Sequence, residues 1–204
     1  MMPEKVMFSA QKSLVSGKIL GVVLAGGQSS RMGTDKASLE IRGQNFLEKT
    51  KALLRDTGVD EVVVSANHIE GAMRDIQRHC GPMSAFHALA NWAKVIEFDL
   101  AIVMPIDMPL VDADCLKLLI EKTTKTDTTC CFESYPLPLC LRLNRHFIEK
   151  TNELMIKKEF AIKNILTEMS ATFCSLPEKY KYQFKNVNTP EQFSQVTAIY
   201  NQRH

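Results

Sequence analysis

Residues 24–36, with the sequence LAGGQSSRMGTDK, combine a flexible backbone with fixed positive charge in one short stretch. The pair Gly26-Gly27 and the small neighbour Ala25 allow peptide N–H groups to face phosphate oxygens. Arg31 and Lys36 add a guanidinium and an ammonium, which suit the neutralisation of a triphosphate. The stretch therefore predicts a nucleotide-binding loop at which chemistry at phosphorus takes place.

Two familiar phosphate-binding motifs do not fit this loop. A P-loop requires G-x-x-x-x-G-K-[ST], whereas Gly33 is followed here by Thr34 and Asp35 before Lys36. The dinucleotide fingerprint G-x-G-x-x-G is also absent from the loop. The loop therefore indicates another class of nucleotide-binding protein.

Asp107 is a second candidate for chemistry, because it lies between Pro105 and Pro109 directly after the apolar residues 100–104. In open α/β sheets, ligands bind at the carboxyl ends of the strands. Mg²⁺ prefers a carboxylate together with phosphate oxygens and water, and one carboxylate can be enough. Asp107 is therefore the predicted magnesium ligand, with a simple turn or helix-cap aspartate as the alternative.

Apolar segments that could position these residues alternate with amphipathic segments of helical length. This alternation predicts a parallel or mostly parallel sheet covered by helices. Strands are expected at residues 19–24, 62–65, 100–104, 128–132, 137–143, 173–176 and 184–187. Helices are expected at residues 46–57, 69–79, 83–95 and 111–123, through most of 144–170, and after Thr189 as N-cap. No repeat or low-complexity linker divides the chain, so residues 18–204 are expected to form a single domain after an N-terminal extension at residues 1–17.

Composition excludes several classes of protein. The 204-residue chain is 45% hydrophobic, which is enough for a sizeable core. Its 25 basic and 23 acidic residues give a net charge of +2, and no basic block indicates nucleic-acid binding. No stretch approaches the roughly 20 apolar residues of a membrane span, and residues 1–16 lack the apolar run of a secretory signal. We therefore expect a cytoplasmic protein without nucleic-acid or membrane partners.

The six cysteines indicate neither a metal site nor a disulfide framework. They contain no C-x-x-C pair and have no nearby histidine pair at zinc-ligand spacing. Cys130 and Cys131 are adjacent in a segment that favours a strand, where a buried apolar role is typical. All six are predicted to be structural or incidental.

The nucleotide-binding loop resembles the signature of the small-molecule nucleotidyltransferases, L-A-G-G-x-S-x-R-M-G-x-D-K, and fills every fixed position of it. Within that superfamily, the chain is similar to the molybdenum cofactor guanylyltransferase family. The resemblance implies a three-layer α/β/α, Rossmann-like fold of the nucleotide-diphospho-sugar transferase type with a mainly parallel sheet. It also implies that Leu24, Ala25, Gly26, Gly27 and Lys36 contact the nucleotide.

Further stretches resemble the same family. The sequence N-V-N-T-P-E contains Asn186 and Asn188, which the resemblance assigns to the metal shell, a phosphate or the acceptor substrate. A helix start would account for the threonine and proline of this stretch but not for the two asparagines. Asn67 and the pair Gly81-Pro82 resemble the family's N-A-N and G-P-L elements, which implies that Asn67 meets the guanine or ribose. Asp75 corresponds to the family's guanosine-contacting aspartate.

The resemblance implies transfer of GMP from GTP to molybdopterin, with release of pyrophosphate and formation of the molybdopterin guanine dinucleotide. Arg31 and the loop amides would bind phosphates, Lys36 would stabilise charge on the α-phosphate, and Asp107 would hold Mg²⁺. The acceptor phosphate is already ionised near neutral pH, so the reaction requires orientation rather than a general base. Molybdenum-insertion proteins and chaperones of client molybdoenzymes are the candidate protein partners.

Several alternatives stay open at this point. The connection at residues 68–80 is shorter than the family's usual one, which keeps another base or acceptor open, as in cytidylyl transfer or transfer to a sugar phosphate. A non-catalytic nucleotide-binding homologue is a further alternative, although the retention of Arg31, Lys36 and Asp107 argues against it. Lys157 and Lys158 would either meet a pterin phosphate or form a solvated helical face.

Overall fold

The computed structural model describes residues 17–26, 36–77, 80–95 and 97–203. Its elements, in chain order, are β1 (Ile19–Leu24), β2 (Glu40–Ile41), β3 (Gln44–Asn45), α1 (Phe46–Asp56), β4 (Glu61–Ser65), α2 (Met83–Trp92), β5 (Leu100–Pro105), α3 (Ala113–Thr126), β6 (Cys130–Phe132), β7 (Tyr135–Arg142), α4 (Arg145–Lys157), α5 (Ile162–Glu168), β8 (Thr172–Cys174) and α6 (Pro190–Arg203). Short 3-10 helices also form at Lys36–Ser38 and Glu178–Phe184.

Six strands form one sheet in the order β4-β1-β5-β7-β6-β8. Strand β1 pairs in parallel with β4 and β5, and β6 pairs in parallel with β8. Strand β7 is antiparallel to both of its neighbours, so the other five strands share one direction. The predicted mainly parallel sheet is therefore confirmed, and β2 and β3 form a separate small hairpin.

Helices cover both faces of the sheet, which confirms the three-layer arrangement. Alternate residues of a strand point to opposite faces, and β1 shows this pattern clearly. Ile19 and Val23 join the core formed with α1 and α3, whereas Leu20 and Val22 join the core formed with α2, α4 and α5. At Gly21 a Cβ atom would lie only 3.3 Å from Leu54 Cβ, so the missing side chain lets α1 approach β1 closely.

A third apolar cluster attaches α6 to the β2–β3 hairpin and the start of α1. Its buried members are Ile41, Phe46, Leu110, Val187 and Val196. Val187 is fully buried in this cluster. The burial of its side chain anchors the segment that carries the two flanking asparagines.

Two helices, α3 and α6, begin at residues whose side chains cap them. Asp112 accepts a hydrogen bond from Cys115 N at 3.0 Å and begins α3. Thr189 Oγ1 accepts a hydrogen bond from Gln192 N at 3.3 Å and begins α6, as predicted. Such side-chain caps satisfy amides that have no partner within the helix.

Two predicted elements are wrong. Of the helix expected at residues 69–79, the described part at 69–77 instead forms turns around Gly71, and Met73 forms a single β-bridge with Ser65 beside β4. Met73 N donates to Val64 O, and Ala66 N donates to Met73 O. The backbone groups of Met73 are therefore bonded to the edge strand β4 and its end, rather than within a helix. The strand expected at residues 184–187 does not form, because the buried side chains of Phe184 and Val187 pack into two different cores.

The cysteines carry free thiols, and five of them are buried. Within the described ranges, no cluster of three or more His, Cys, Asp or Glu side chains is arranged to hold a metal ion. Burial raises the pKa of the Cys115, Cys131 and Cys140 thiols to about 12. None of the helices in the part of the chain described here has the length and apolar character needed to cross a membrane.

Candidate active site

A cleft of about 1070 Å³ lies at the carboxyl ends of β4, β1 and β5 and reaches the β6–β7 turn. This position follows from the topology, because the loops after neighbouring parallel strands meet at one edge of a sheet. The cleft is lined by Leu24, Ala25, Gly26, Lys36, Ser65, Asn67, His68, Asp75, Gly81, Pro82, Ser84, Ala85, Pro105, Ile106, Asp107, Met108, Ser134, Tyr135, Pro136, Leu137 and Asn186.

A polar cluster occupies the centre of the cleft. Lys36 Nζ lies 3.5 Å from Asp107 Oδ2 and donates a hydrogen bond to Asn188 Oδ1 at 2.5 Å. Asn186 Nδ2 donates to the same Asp107 oxygen at 3.3 Å. One cation, one carboxylate and two amides from three distant parts of the chain thus converge at the end of β5.

Backbone hydrogen bonds fix the ends of β1 and β5 next to this polar cluster. Ile106 N donates to Leu24 O at 3.2 Å, so β1 and β5 stay paired up to Asp107. Val187 N donates to Asp107 O at 2.8 Å and brings the C-terminal segment against the same residue. Asn188 N donates to Gln192 Oε1 at 2.7 Å, which ties the second asparagine to the first turn of α6.

Asp107 has the properties of a magnesium ligand. Its Oδ1 atom is buried and has no hydrogen-bond partner among the described residues, although its Oδ2 atom is well surrounded. A buried carboxylate oxygen without a partner is costly unless a ligand supplies one. Mg²⁺ favours one or two carboxylates with phosphate oxygens and water, so this donor set fits the ion.

The end of the cleft beside β4 presents a second polar pair. Asn67 Nδ2 donates to Asp75 Oδ2 at 2.7 Å, and Asp75 N donates to Asn67 Oδ1 at 3.0 Å. The β-bridge at Met73 brings Asp75 back to Asn67, in place of the helix expected there. Gly81, with a φ of +55° that favours glycine, then leads into α2 beside the same pair.

The opposite end of the cleft is aromatic and apolar. Tyr135 packs against Phe184 with ring centroids 4.6 Å apart, and Pro136 and Leu137 continue the same wall. The sheet order places this turn on the far side of β5 from Asn67 and Asp75. The cleft therefore has a polar end and an aromatic end, with the lysine and aspartate between them.

Most of the site residues predicted from the sequence lie together. Ten of them line the cleft, and they are Leu24, Ala25, Gly26, Lys36, Asn67, Asp75, Gly81, Pro82, Asp107 and Asn186. Asn188 joins them through its hydrogen bond to Lys36. Gly27 and Arg31 lie outside the described residues. Lys157 and Lys158, at the end of α4, are exposed and do not line the cleft, in agreement with a solvated helical face.

Some residues at the site carried no usable signal in the sequence. Ser65 and Met108 line the cleft but belong to apolar strand ends, where periodicity predicts only burial. Asp112 was assigned only as a helix start, yet it also binds the buried Gln183 from the C-terminal segment. That pairing joins residues 71 positions apart, and no local pattern reports it.

The chain is similar to known proteins over most of its length. The family of the MobA-like NTP transferase domain matches residues 21–172. The molybdenum cofactor guanylyltransferase of Xanthomonas euvesicatoria pv. vesicatoria is 35% identical over 179 residues, which cover 86% of this chain and 93% of that protein. A probable molybdenum cofactor guanylyltransferase of Peptoclostridium acidaminophilum is 28% identical over 211 residues, which cover 91% and 94% of the two chains.

A solved structure shares the fold. Molybdopterin-guanine dinucleotide biosynthesis protein A from Archaeoglobus fulgidus is similar with a TM-score of 0.72 at 19% identity, covering 90% of this chain and 99% of its own. This likeness confirms the predicted type of fold. Because the domain family and the 35% identical relative both span most of the sequence, the chain belongs to the molybdenum cofactor guanylyltransferase family of MobA-like NTP transferases.

Proposed function

We propose that this protein transfers GMP from GTP to molybdopterin, releasing pyrophosphate and forming the molybdopterin guanine dinucleotide. The observation that carries the proposal is the convergence of Lys36, Asp107, Asn186 and Asn188 in the middle of the cleft. A reaction between two anionic substrates requires positive charge and a metal-binding carboxylate at the point where they meet. The names of the relatives support guanylyl transfer as the reaction.

The polar end of the cleft supports the binding of guanine. Guanine presents N–H donors on its Watson–Crick edge, and the Asp75 carboxylate can accept hydrogen bonds from them. The two hydrogen bonds with Asn67 hold this carboxylate in place before the base arrives. A prearranged acceptor of this kind favours guanine over cytosine or uracil, even though the connection at residues 68–80 is short.

The chemical step requires orientation and charge neutralisation. A terminal phosphate oxygen of molybdopterin attacks the α-phosphorus of GTP with its lone pair, and a new P–O bond forms. The bond from the α-phosphorus to the bridging oxygen breaks, and pyrophosphate leaves with that electron pair. Lys36 stabilises the negative charge that accumulates on the α-phosphate, because its ammonium is held at the cleft centre before binding.

Mg²⁺ is the proposed cofactor, with Asp107 as its protein ligand and the adjacent Asn186 amide beside it. When bound, the ion neutralises phosphate charge and assists the departure of pyrophosphate. The Lys36 ammonium lies 3.5 Å from the Asp107 carboxylate, so the cation and the proposed metal ligand face the same part of the cleft. Arg31 is proposed to bind phosphates together with the loop amides.

The aromatic end of the cleft is the proposed acceptor site. Tyr135, Pro136 and Leu137 offer a flat, mostly apolar wall on the far side of Asp107 from the base. Such a wall suits a ring system such as a pterin, because aromatic faces pack well against flat conjugated rings. Molybdenum-insertion proteins or chaperones of client enzymes as partners, and a cytoplasmic location, stay predictions from the sequence.

The first test combines binding with turnover. Thermal unfolding is measured with GTP, CTP, ATP and UTP in the presence of Mg²⁺, since a ligand at about 100 times its Kd stabilises the folded state by ~2.7 kcal/mol. Pyrophosphate release is then measured with molybdopterin and each stabilising nucleotide. We expect stabilisation and turnover with GTP alone. Turnover with CTP instead would overturn the assignment of the base, and binding of GTP without turnover would indicate a non-catalytic homologue.

A further inference from the structure

Two segments that meet at the active site run antiparallel to each other without forming a sheet. One leads from Asp107 to Asp112, and the other leads from Gln183 to Val187. At the cleft they are joined by the hydrogen bond from Val187 N to Asp107 O at 2.8 Å. At their other end, the Gln183 side chain forms hydrogen bonds with both the carboxylate and the backbone N–H of Asp112. The second segment carries Asn186 and leads directly into Asn188.

The Asp112–Gln183 pair is a reciprocal, mostly buried contact. Gln183 Nε2 donates to Asp112 Oδ2 at 2.6 Å, and Asp112 N donates to Gln183 Oε1 at 3.2 Å. The second carboxylate oxygen of Asp112 accepts from Cys115 N at 3.0 Å, so one side chain serves both as helix cap and as partner of Gln183. Gln183 is 1% exposed, which makes the loss of either partner costly.

In the chain, Asn186 lies between Gln183, which is held by Asp112, and Val187, whose N–H donates to Asp107 O. Asn186 Nδ2 lies 3.3 Å from Asp107 Oδ2, near the long end of the range for a hydrogen bond. Residues 184–187 form no strand, so three kinds of contact set their place against residues 107–112: the burial of Phe184 and Val187, the hydrogen bond from Val187 N to Asp107 O, and the Asp112–Gln183 pair. A shift at the Gln183 end would move the amides relative to Asp107 and Lys36.

We propose that Gln183, held by Asp112, is a positioning residue that sets the places of Asn186 and Asn188 in the active site. The proposal rests on the proposed function, because it assigns those amides to the substrate and metal site. It concerns neither substrate contact nor proton transfer by Gln183 itself, which is buried beyond the cleft wall.

The test uses an exchange of the charged and the neutral partner. In the single variant Gln183→Glu, two carboxylates face each other. In Asp112→Asn, the side-chain NH₂ at position 112 and the backbone N–H of that residue are both donors. Gln183 has only one amide oxygen, so its own NH₂ group faces one of these donors whichever way the amide is turned. In the double variant, the carboxylate at position 183 accepts from the amide at position 112 and from the backbone N–H of that residue, while the amide oxygen still caps α3. The two hydrogen bonds between positions 112 and 183 and the cap of α3 are therefore all formed only in the double variant.

Three quantities are measured for each variant: kcat and KM for GTP, the Kd for Mn²⁺ by electron paramagnetic resonance, and amide hydrogen exchange of residues 184–188. We expect each single variant to lose about tenfold to 100-fold in kcat and in Mn²⁺ affinity, as for other groups that orient metal-site residues. Exchange of residues 184–188 should be faster in the single variants. The double variant should recover all three quantities.

Asn144→Ala is the matched control, because Asn144 caps α4 through its hydrogen bond with Phe147 N at 2.9 Å. The neighbouring residue Leu143 donates its N–H to the carbonyl oxygen of Asp99, which directly precedes β5. Asn144 therefore lies near the start of β5, whereas the cleft lies at the end of that strand. This variant should lower Tm while leaving kcat and Mn²⁺ affinity unchanged. If the Gln183 and Asp112 variants behave in the same way as this control, the positioning role is wrong and the pair is only structural.

The outcomes separate this proposal from the proposed function. If the wild-type protein releases no pyrophosphate with GTP and molybdopterin, the proposed function fails. The positioning role is then decided by Mn²⁺ affinity and hydrogen exchange alone. Loss and recovery of Mn²⁺ affinity would still support it, and unchanged Mn²⁺ affinity in both single variants would overturn it.

Discussion

The Lys36 ammonium lies 3.5 Å from Asp107 Oδ2, although the two residues are 71 positions apart in the chain. Their side chains are 19% and 20% exposed, so water screens the pair less than it screens a surface ion pair. The contact joins the residue at the end of the nucleotide-binding loop to the residue at the end of β5. It places the cation and the carboxylate that we propose as the Mg²⁺ ligand together in the cleft.

The first prediction concerns catalysis by this pair. Lys36→Ala and Asp107→Ala should each lower kcat at least tenfold and by as much as about 1000-fold, because the first removes the cation that stabilises charge on the α-phosphate and the second removes the proposed ligand of Mg²⁺. Pyrophosphate release with GTP and molybdopterin measures the effect, and far-ultraviolet circular dichroism checks the fold. A variant with a near-normal rate would exclude that residue from the mechanism.

Lys51→Ala is the control for removal of a lysine. Lys51 forms an ion pair with Glu48 at 2.8 Å on the surface of α1, one helical turn apart. Such pairs contribute little to stability and have no role at the cleft. Its kcat should equal that of the wild type, so a loss in this variant would show that the assay responds to charge in general.

The second prediction concerns metal binding without nucleotide. Lys36→Met removes the ammonium beside Asp107 but keeps a side chain of similar length. We expect at least roughly tenfold tighter Mn²⁺ binding, because two unit charges 4 Å apart interact by ~1 kcal/mol in bulk water and ~4 kcal/mol near a protein surface, and a tenfold change corresponds to ~1.4 kcal/mol. Titration followed by electron paramagnetic resonance measures the Kd. Unchanged or weaker binding would contradict competition between the ammonium and the metal for Asp107, and Asp107→Asn should abolish the site.

The third prediction concerns recognition of the base. Asp75→Ala should weaken GTP binding by about tenfold to 100-fold, since hydrogen bonds to a charged group contribute ~1.5–3 kcal/mol. Binding of inorganic triphosphate should not change, because the phosphates lie at the other end of the nucleotide. Glu70→Ala is the matched control, as Glu70 is an exposed acid on the same connection. Equal losses for GTP and triphosphate would show that Asp75 does not contact the base.

The fourth prediction concerns stability at alkaline pH. Burial raises the pKa of the Cys131 and Cys140 thiols from 9.0 to about 12. Between these values the unfolded chain loses thiol protons that the folded protein keeps, so deprotonation favours unfolding. These thiols should therefore not affect the free energy of unfolding below about pH 9. As the pH rises from there towards 12, the free energy of unfolding should fall by ~1.4 kcal/mol per pH unit for each thiol.

Urea unfolding between pH 8 and 11 measures this loss. Cys140→Ala should be less stable at every pH because it leaves a cavity, but its stability should fall less steeply with pH. Cys174 provides a comparison, since its thiol is half-exposed and its pKa rises only to about 11. Equal slopes for the wild type and Cys140→Ala would contradict the linkage.

Local features of the sequence were sufficient for much of the fold and part of the site. The apolar residues of β1 and the glycine pair after them are adjacent in the chain. Their sequence alone therefore predicts a strand followed by a ligand-binding loop, and the strand forms as predicted. Asp107 was placed correctly because a buried strand and its carboxyl end can be recognised from a few neighbouring residues. The caps Asp112 and Thr189 are likewise local, since each binds an amide three residues later.

The predictions that were wrong depended on where a segment packs. Residues 69–77 have a composition that permits a helix, but the unpaired edge of β4 offers their backbone hydrogen bonds at Met73. Residues 184–187 begin and end with residue types that favour strands, yet Phe184 and Val187 pack into separate cores, and the described residues form no strand there. In both cases long-range packing overrides a weak local preference.

The sequence by itself determined strand β1 with the loop that we propose to bind the nucleotide, the aspartate at the end of β5 and the family to which the chain belongs. These properties reside in short runs of residues whose chemistry does not depend on distant partners. Only the tertiary structure decided that Asn188 binds Lys36, that Asp75 pairs with Asn67 across a turn, and that Gln183 binds Asp112. Such contacts form when folding buries segments that are distant in the chain against one another. The periodicity of apolar residues within one segment therefore cannot predict them.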